Sequence, residues 1–252
     1  MTISIAVTLP SWSAVAADTR VRFHHDSQQT VHDGPHPLRL SIERPVTELV
    51  IPYSYRKIRR VADGWVTCAG SLAAATAAMD VLKAESAQHF TSARSALNRA
   101  SQHIRVSGRI LGLAESEHDE TILLGAPFGS STSVWTISLG NVQGRTHRSV
   151  GSFAINWPPD VGPAIQDETQ AELRRMLAEA AELDSPGGMI RALTRVVEVA
   201  SGNSIHASEL VQVGQSIRSA SSEIRHLYWE GPVTGLLNMT DQDLSSHARS
   251  AA

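Results

Sequence analysis

Cysteine is almost missing from this chain: Cys68 is the only one in 252 residues. A lone thiol excludes an intrachain disulfide and a cysteine-based zinc cage, and it fits a reducing compartment, so a cytoplasmic location is expected. Long apolar runs are missing too, and none approaches the ~18 residues that a bilayer-crossing helix needs. Neither sign of charge dominates, with 22 basic against 25 acidic residues and a formal charge of −3. Nucleic acid, which calls for a basic footprint, is not an expected partner, and neither is a membrane. Also absent are a phosphate-cradling P-loop, a Gly-x-Ser-x-Gly elbow and a Cys-x-x-Cys site.

The length suits one large domain with its own core rather than two. At the start, Ile3, Ile5 and Val7 alternate with Ser4, Ala6 and Thr8, the period of a strand with one face buried. A turn at Pro10-Ser11 and a small-residue strand from Val15 to Asp18 complete a hairpin. Ala14-Val15-Ala16 has the composition of a secretory cleavage site. However, no Lys or Arg precedes the apolar stretch and Pro10 interrupts it, so the expectation is a retained hairpin. If Met1 is trimmed, Thr2 carries a hydroxyl and a free α-amine on one residue, which joins a nucleophile to a base.

Residues 21–37 are polar and hold His24, His25, His32 and His36, punctuated by Gly34-Pro35 and Pro37. They read as a loop or extended ribbon; the prolines oppose the helix that would align His32 and His36, and no metal site is expected. Leu38 to Ile42 and Thr47 to Ile51 read as a further hairpin around Arg44-Pro45. Arg56 to Val61 and Gly64 to Ala69 read as strands joined by a tight turn. Helices follow at Leu72 to Ala87 and Ser92 to Val106, then strands at Thr121 to Ala126, Ser133 to Leu139 and His147 to Val150. Residues 153–165, with Trp157-Pro158-Pro159 and Gly162-Pro163, read as irregular. Helices at Asp167 to Leu183 and Gly188 to Ala200 precede a strand at Glu209 to Val213. This order suits an α+β fold, a four-layer αββα sandwich of two antiparallel sheets flanked by helices. Residues 219–252 read as a C-terminal extension with a short helix through Trp229 and a polar tail.

Two stretches carry a resemblance to a known family: Thr2-Ile3-Ser4-Ile5-Ala6-Val7 with Ala16-Ala17-Asp18-Thr19-Arg20, and Lys57-Ile58-Arg59-Arg60-Val61 leading into Trp65-Val66-Thr67-Cys68-Ala69-Gly70-Ser71. Their order resembles the proteasome β-type subunits and their bacterial relatives, among the N-terminal nucleophile hydrolases. The likeness spans most of residues 2–214, within a domain taken as 1–218, and is interrupted by an enlarged region at about 21–52.

By themselves these residues have plain readings: Thr2 as a strand opener, Asp18 as a turn cap, Lys57 as a solvated charge, Gly70 as a turn glycine, Cys68 as core. The resemblance implies more. Thr2 would be the nucleophile and base, Lys57 a buried cation beside its amine, and Asp18 the carboxylate that holds Lys57. Gly70 would offer a backbone N–H to the oxyanion, and Thr19 and Cys68 would line the substrate site. Ser152, Glu198 and Ser201 would complete a hydrogen-bond network around the amine, although the family usually has Asp where Glu198 stands. The implied activity is that of a threonine-type endopeptidase acting on peptides or unfolded protein, without cofactor or metal. The implied assembly is a homo-oligomeric ring, with an ATP-driven unfoldase as a candidate partner. Two rivals stand beside it: an amidohydrolase of the same fold acting on a small amide, and a non-catalytic scaffold subunit.

Overall fold

Alternating apolar residues at the start of the chain form a hairpin of β1 (Ser4–Leu9) and β2 (Trp12–Asp18), whose register pairs Leu9 with Trp12 and Ser4 with Ala17. The computed structural model of the chain describes residues 3–21, 30–33, 36–39, 49–50, 57–110, 119–129, 133–148, 152–218, 222–247 and 249–250. Further strands are β3 (Arg20–Val21), β4 (Thr30–Asp33), β5 (His36–Arg39), β6 (Leu49–Val50), β7 (Ile58–Val61), β8 (Gly64–Ala69) and β9 (Ile122–Ala126). They are followed by β10 (Ser133–Ser138), β11 (Gln143–Arg148), β12 (Ser152–Asn156), β13 (Leu210–Arg218), β14 (Ile224–Pro232) and β15 (Arg249–Ser250). The helices are α1 (Leu72–Ala84), α2 (Phe90–Ile110), α3 (Pro163–Glu182), α4 (Pro186–Asn203), α5 (Val233–Asn238) and α6 (Asp241–His247).

The strands make a six-stranded sheet in the order β12-β1-β2-β13-β14-β15 and a five-stranded sheet in the order β11-β10-β9-β8-β7. Both are antiparallel throughout. Ile3, Ile5 and Val7 pack with Leu173, Leu177, Leu193 and Val197, so α3 and α4 cover the outer face of the first sheet. Val66, Cys68, Leu123 and Trp135 pack with Ala75, Met79 and Leu97, which sets α1 and α2 over the second. Between the sheets lie Ala6, Val15, Ala17, Ile58, Trp65, Leu124 and Tyr228. The result is the expected αββα sandwich. Every residue of β1 and β2 is buried, not alternate ones, because a sheet inside four layers has no face left for water.

One close approach positions the sheets. A Cβ on Gly214 would lie 2.4 Å from Cε3 of Trp65, so only glycine leaves room for that indole, whose N–H donates to Ser216 Oγ at 3.0 Å. The helices begin where their residues satisfy free N–H groups: Ser71 Oγ caps α1 and Ser185 Oγ caps α4, and proline occupies the first turn of α3 and of α4.

Several sequence expectations differ from what the chain does. The stretch read as irregular from 153 holds β12, which runs to Asn156 and pairs with β1 before the prolines begin. The short helix expected through Trp229 is instead the strand β14, paired along the whole of β13. Its burial comes from that pairing, while α5 and α6 bring Val233, Leu236 and Leu244 into the core beneath the first sheet. Part of the histidine-rich segment forms the β4–β5 ribbon, and β3 pairs with β6. Arg44-Pro45, His24 and His25 lie outside the described residues.

Candidate active site

Asp18 ends β2 at the point where that strand has run past the start of β1. Its N–H donates to Ile3 O at 3.4 Å, so the first described residue of the chain sits directly beside it. Thr2 lies outside the described residues. Lys57 arrives from the other sheet, just ahead of β7, and its Nζ donates to Asp18 Oδ1 at 3.3 Å. The two side chains are 4% and 0% exposed. The second carboxylate oxygen accepts from Ser208 N at 3.1 Å. The backbone of Lys57 is held as well, because its N–H donates to Gln212 Oε1 at 2.9 Å, and Gln212 Nε2 in turn donates to Glu230 Oε1 at 3.3 Å. A charge pair shut away from water persists only when both members are present and hydrogen-bonded, which is the arrangement here.

Around this pair, Thr19 is buried, with its N–H shared between Leu210 O at 3.2 Å and Ser208 Oγ at 3.3 Å. Cys68 lies alongside Lys57 on the neighbouring strand, its Sγ donating to Lys57 O at 3.6 Å. Burial pushes this thiol up to about 12, against the opposing pull of Lys57 and Arg59, so it stays protonated and unreactive. The Cys68 side chain packs in the layer beneath α1 and α2. Gly70 follows the end of β8 with φ +105°, and a Cβ there would sit 2.7 Å from Thr121 Cα. Both conformation and space demand glycine. Thr121 Oγ1, accepting from Ser71 N at 2.9 Å, holds the exposed turn in place.

The other three candidates make contacts of their own. Ser152 opens β12 opposite Thr8, where its hydroxyl meets Thr8 Oγ1 at 3.2 Å and accepts from Val134 N at 3.4 Å. Thr8 is separated from Ile3 by about 17 Å of strand at ~3.4 Å per residue, so Ser152 is at the far end of β1 from Asp18. Glu198 pairs with Arg195, which also reaches Glu172 Oε1 at 3.6 Å; these charges tie α4 to α3. Ser201 Oγ donates back to Glu198 O in its own helix at 2.9 Å. The structure therefore gathers Asp18, Lys57, Thr19 and the β8 end, and sets Ser152 at the far end of β1 from them, while Glu198 and Ser201 lie in the last turns of α4, ahead of the loop whose Ser208 N–H meets Asp18.

The residues that do surround the pair were not legible as motifs. Ser208 lies in the loop ahead of β13, and Gln212 is a buried polar residue within β13 itself. Asn156, not Ser152, is the β12 residue opposite Ser4 and thus at the Ile3 end of the hairpin. The alternation of Phe153 and Ile155 was the available signal for that strand.

A four-layer αββα sandwich of two antiparallel sheets between helix layers is the fold of proteasome-like subunits. Comparison with solved structures agrees. Anbu (ancestral beta-subunit) from Yersinia bercovieri is 13% identical, with 97% of this chain and 96% of that chain covered at a TM-score of 0.54. An Anbu mutant from Hyphomicrobium sp. strain MC1 is 14% identical over 94% of this chain and 92% of that one, at a TM-score of 0.52. BPH from Thiobacillus denitrificans, solved in complex with epoxomicin, is 14% identical over 86% of this chain and 100% of that one, at 0.51. At such identities the likeness is one of fold. No family model and no curated protein matches the sequence.

Proposed function

We propose that the chain is a proteasome-like threonine peptidase whose nucleophile is the hydroxyl of Thr2, freed at the terminus by removal of Met1. The observation that carries this reading is the buried Lys57–Asp18 pair beside Ile3. An ammonium held there by Asp18 disfavours protonation of a nearby α-amine, whose ordinary pKa near 8 already suits a general base. The amine takes the hydroxyl proton as Oγ attacks the peptide carbonyl, and the exposed turn at Gly70 offers a backbone N–H to the oxyanion. Collapse of that intermediate forms an ester on Thr2 and passes the proton to the departing amine. Water then hydrolyses the ester and regenerates the hydroxyl. No step calls for a cofactor or metal. On this reading the substrates are peptides or unfolded protein, taken up by a homo-oligomeric ring in the cytoplasm, with an ATP-driven unfoldase as the partner that would feed it; the epoxomicin complex of the fold neighbour BPH supports the peptidase part of the reading. No helix among the described residues is long and apolar enough to cross a membrane.

Intact mass before and after treatment with a peptide epoxyketone tests the mechanism. Loss of Met1 and a single adduct, absent from Thr2→Ala, is the expected result. A retained Met1, or no adduct on the wild-type chain, would sink it and favour a non-catalytic scaffold. That second reading draws on the position of Ser152, at the far end of β1 from the Lys57–Asp18 pair. Turnover of small amides by an adduct-forming protein that leaves peptides intact would mark an amidohydrolase instead.

A further inference from the structure

Along the outer side of β12 a groove of ≈ 760 Å³ opens between that strand, β11 and α3. It follows the edge of the first sheet and is lined by none of Asp18, Lys57 and Gly70. Its apolar lining includes Phe153, Ile155, Trp157 and Leu177, and its charged lining consists of Arg145 from β11 and Arg174 from α3. Both arginines are exposed, and the guanidinium carbon of Arg174 stands 5.2 Å from the centroid of the Phe153 ring. Among the described residues neither guanidinium has a carboxylate within ion-pair distance, although the chain as a whole has more acids than bases.

Among the described residues no Asp or Glu lines the groove. Its field is felt by His147, which also lines it: burial and then the charge of Arg145 hold that imidazole below its ordinary value. The walls also contain two buried ring nitrogens, His147 Nε2 and Trp157 Nε1, that find no hydrogen-bond partner among the described residues. Buried polar atoms are normally paired, so each exception calls for an explanation, and a bound polar ligand is one. A concave site of this size, with polar and apolar lining in nearly equal parts and its two charges of one sign, falls in the size range of small-molecule pockets.

We infer that this groove binds an amphipathic organic anion, with an acidic headgroup held by Arg145 and Arg174 and an aromatic or aliphatic body laid on Phe153, Ile155 and Trp157. Guanidinium groups accept carboxylate and phosphate alike through charge-assisted, two-pronged hydrogen bonds, and the Phe153–Arg174 stack keeps one of the forks oriented. Its arginines lie on β11 and α3, and the groove runs along β12 from Ser152 to Trp157, so one of its ends faces the Ile3 end of the hairpin while Asp18 and Lys57 take no part in its lining.

Calorimetric titration of the whole protein with 2-naphthoate, 2-naphthyl phosphate and the uncharged 2-naphthamide tests this. One naphthoate or naphthyl phosphate per chain is expected, bound at least tenfold more tightly than the amide, and the stronger of the two acids identifies the headgroup. Arg145→Gln and Arg174→Gln are each expected to weaken the acid about tenfold while leaving the amide unchanged. Arg174→Lys, which keeps the charge and loses the fork, falls between. Equal affinity for acid and amide on the wild-type protein overturns the inference without reference to any variant, as does no binding of either acid at millimolar concentration. So does a double Arg145→Gln/Arg174→Gln protein that sediments as a smaller species, which would mark the groove as a contact between copies of the chain.

Discussion

Replacing Lys57 with methionine keeps most of the side-chain volume and removes the charge that faces Asp18. Two unit charges 3.3 Å apart attract by about 5 kcal/mol in surroundings of effective dielectric ~20. Stripping one partner from a buried pair costs about 3–5 kcal/mol, because the survivor stays desolvated. Asp18 retains its hydrogen bond from Ser208 N, which argues for the lower part of that range. For a chain of this size each kcal/mol moves the thermal midpoint by about 2–4 °C, so a loss of about 3–4 kcal/mol lowers it by roughly 6–16 °C. Asp18→Asn has a similar cost, and the double variant costs less than the sum by about 2 kcal/mol or more, since neither orphaned charge remains. Urea unfolding of all four proteins at one fixed chain concentration measures the cycle, because assembly would otherwise shift the midpoints. A loss below about 1 kcal/mol for Lys57→Met, the level of a solvent-exposed pair, would refute the reasoning.

Gly70→Ala should destabilise the protein by about 2 kcal/mol or more, since it puts a Cβ at φ +105° and 2.7 Å from Thr121 Cα. Loss of epoxyketone labelling should accompany it, and unchanged thermal stability would count against the strained turn. Cys68, with its thiol raised to about 12, should resist maleimide at pH 8 in the folded protein and react only on unfolding. Because the folded thiol keeps its proton longer than the unfolded one, this group stabilises the fold below pH 9.0 and loses that contribution as pH rises toward about 12. The wild type should therefore lose stability faster than Cys68→Ala across that window, by about 1.4 kcal/mol per pH unit at most; parallel curves would contradict it. Glu198→Gln should leave the rate of epoxyketone adduct formation within about twofold of wild type, because its carboxylate is engaged with Arg195 between α3 and α4, and a half-exposed pair of this kind contributes at most about 1 kcal/mol.

The elements that a single chain segment can announce were legible beforehand. The β1–β2 hairpin follows from alternation around Pro10-Ser11, and the β7–β8 turn follows from Ala62-Asp63-Gly64, where Ala62 has φ 52°. Strands whose identity depends on a partner far away were not. β12 is five residues long and abuts Trp157-Pro158-Pro159, so the prolines hid it, while its reason to be extended is the edge of β1. β14 has no alternation strong enough to outweigh a helical reading, and only its antiparallel run beside β13 makes it a strand. The same limit governed the site. Asp18 and Lys57 stand out through resemblance to a family, not through composition. Ser152, Glu198 and Ser201 were matched by the same resemblance, and for Ser152 a match along the sequence does not say at which end of a strand the residue emerges. Gln212 and Ser208 reach the pair through a side-chain amide and a backbone N–H, groups that no motif records.

The ammonium and the carboxylate at the head of the hairpin are contributed by opposite halves of the sandwich, and neither half contains both. Under the proposed chemistry, a copy whose halves had docked one residue out of step would possess every reactive group and still be inert. Competence would then require the two sheets to meet in register, so that a chain with only one of them in place would lack the assembled pair.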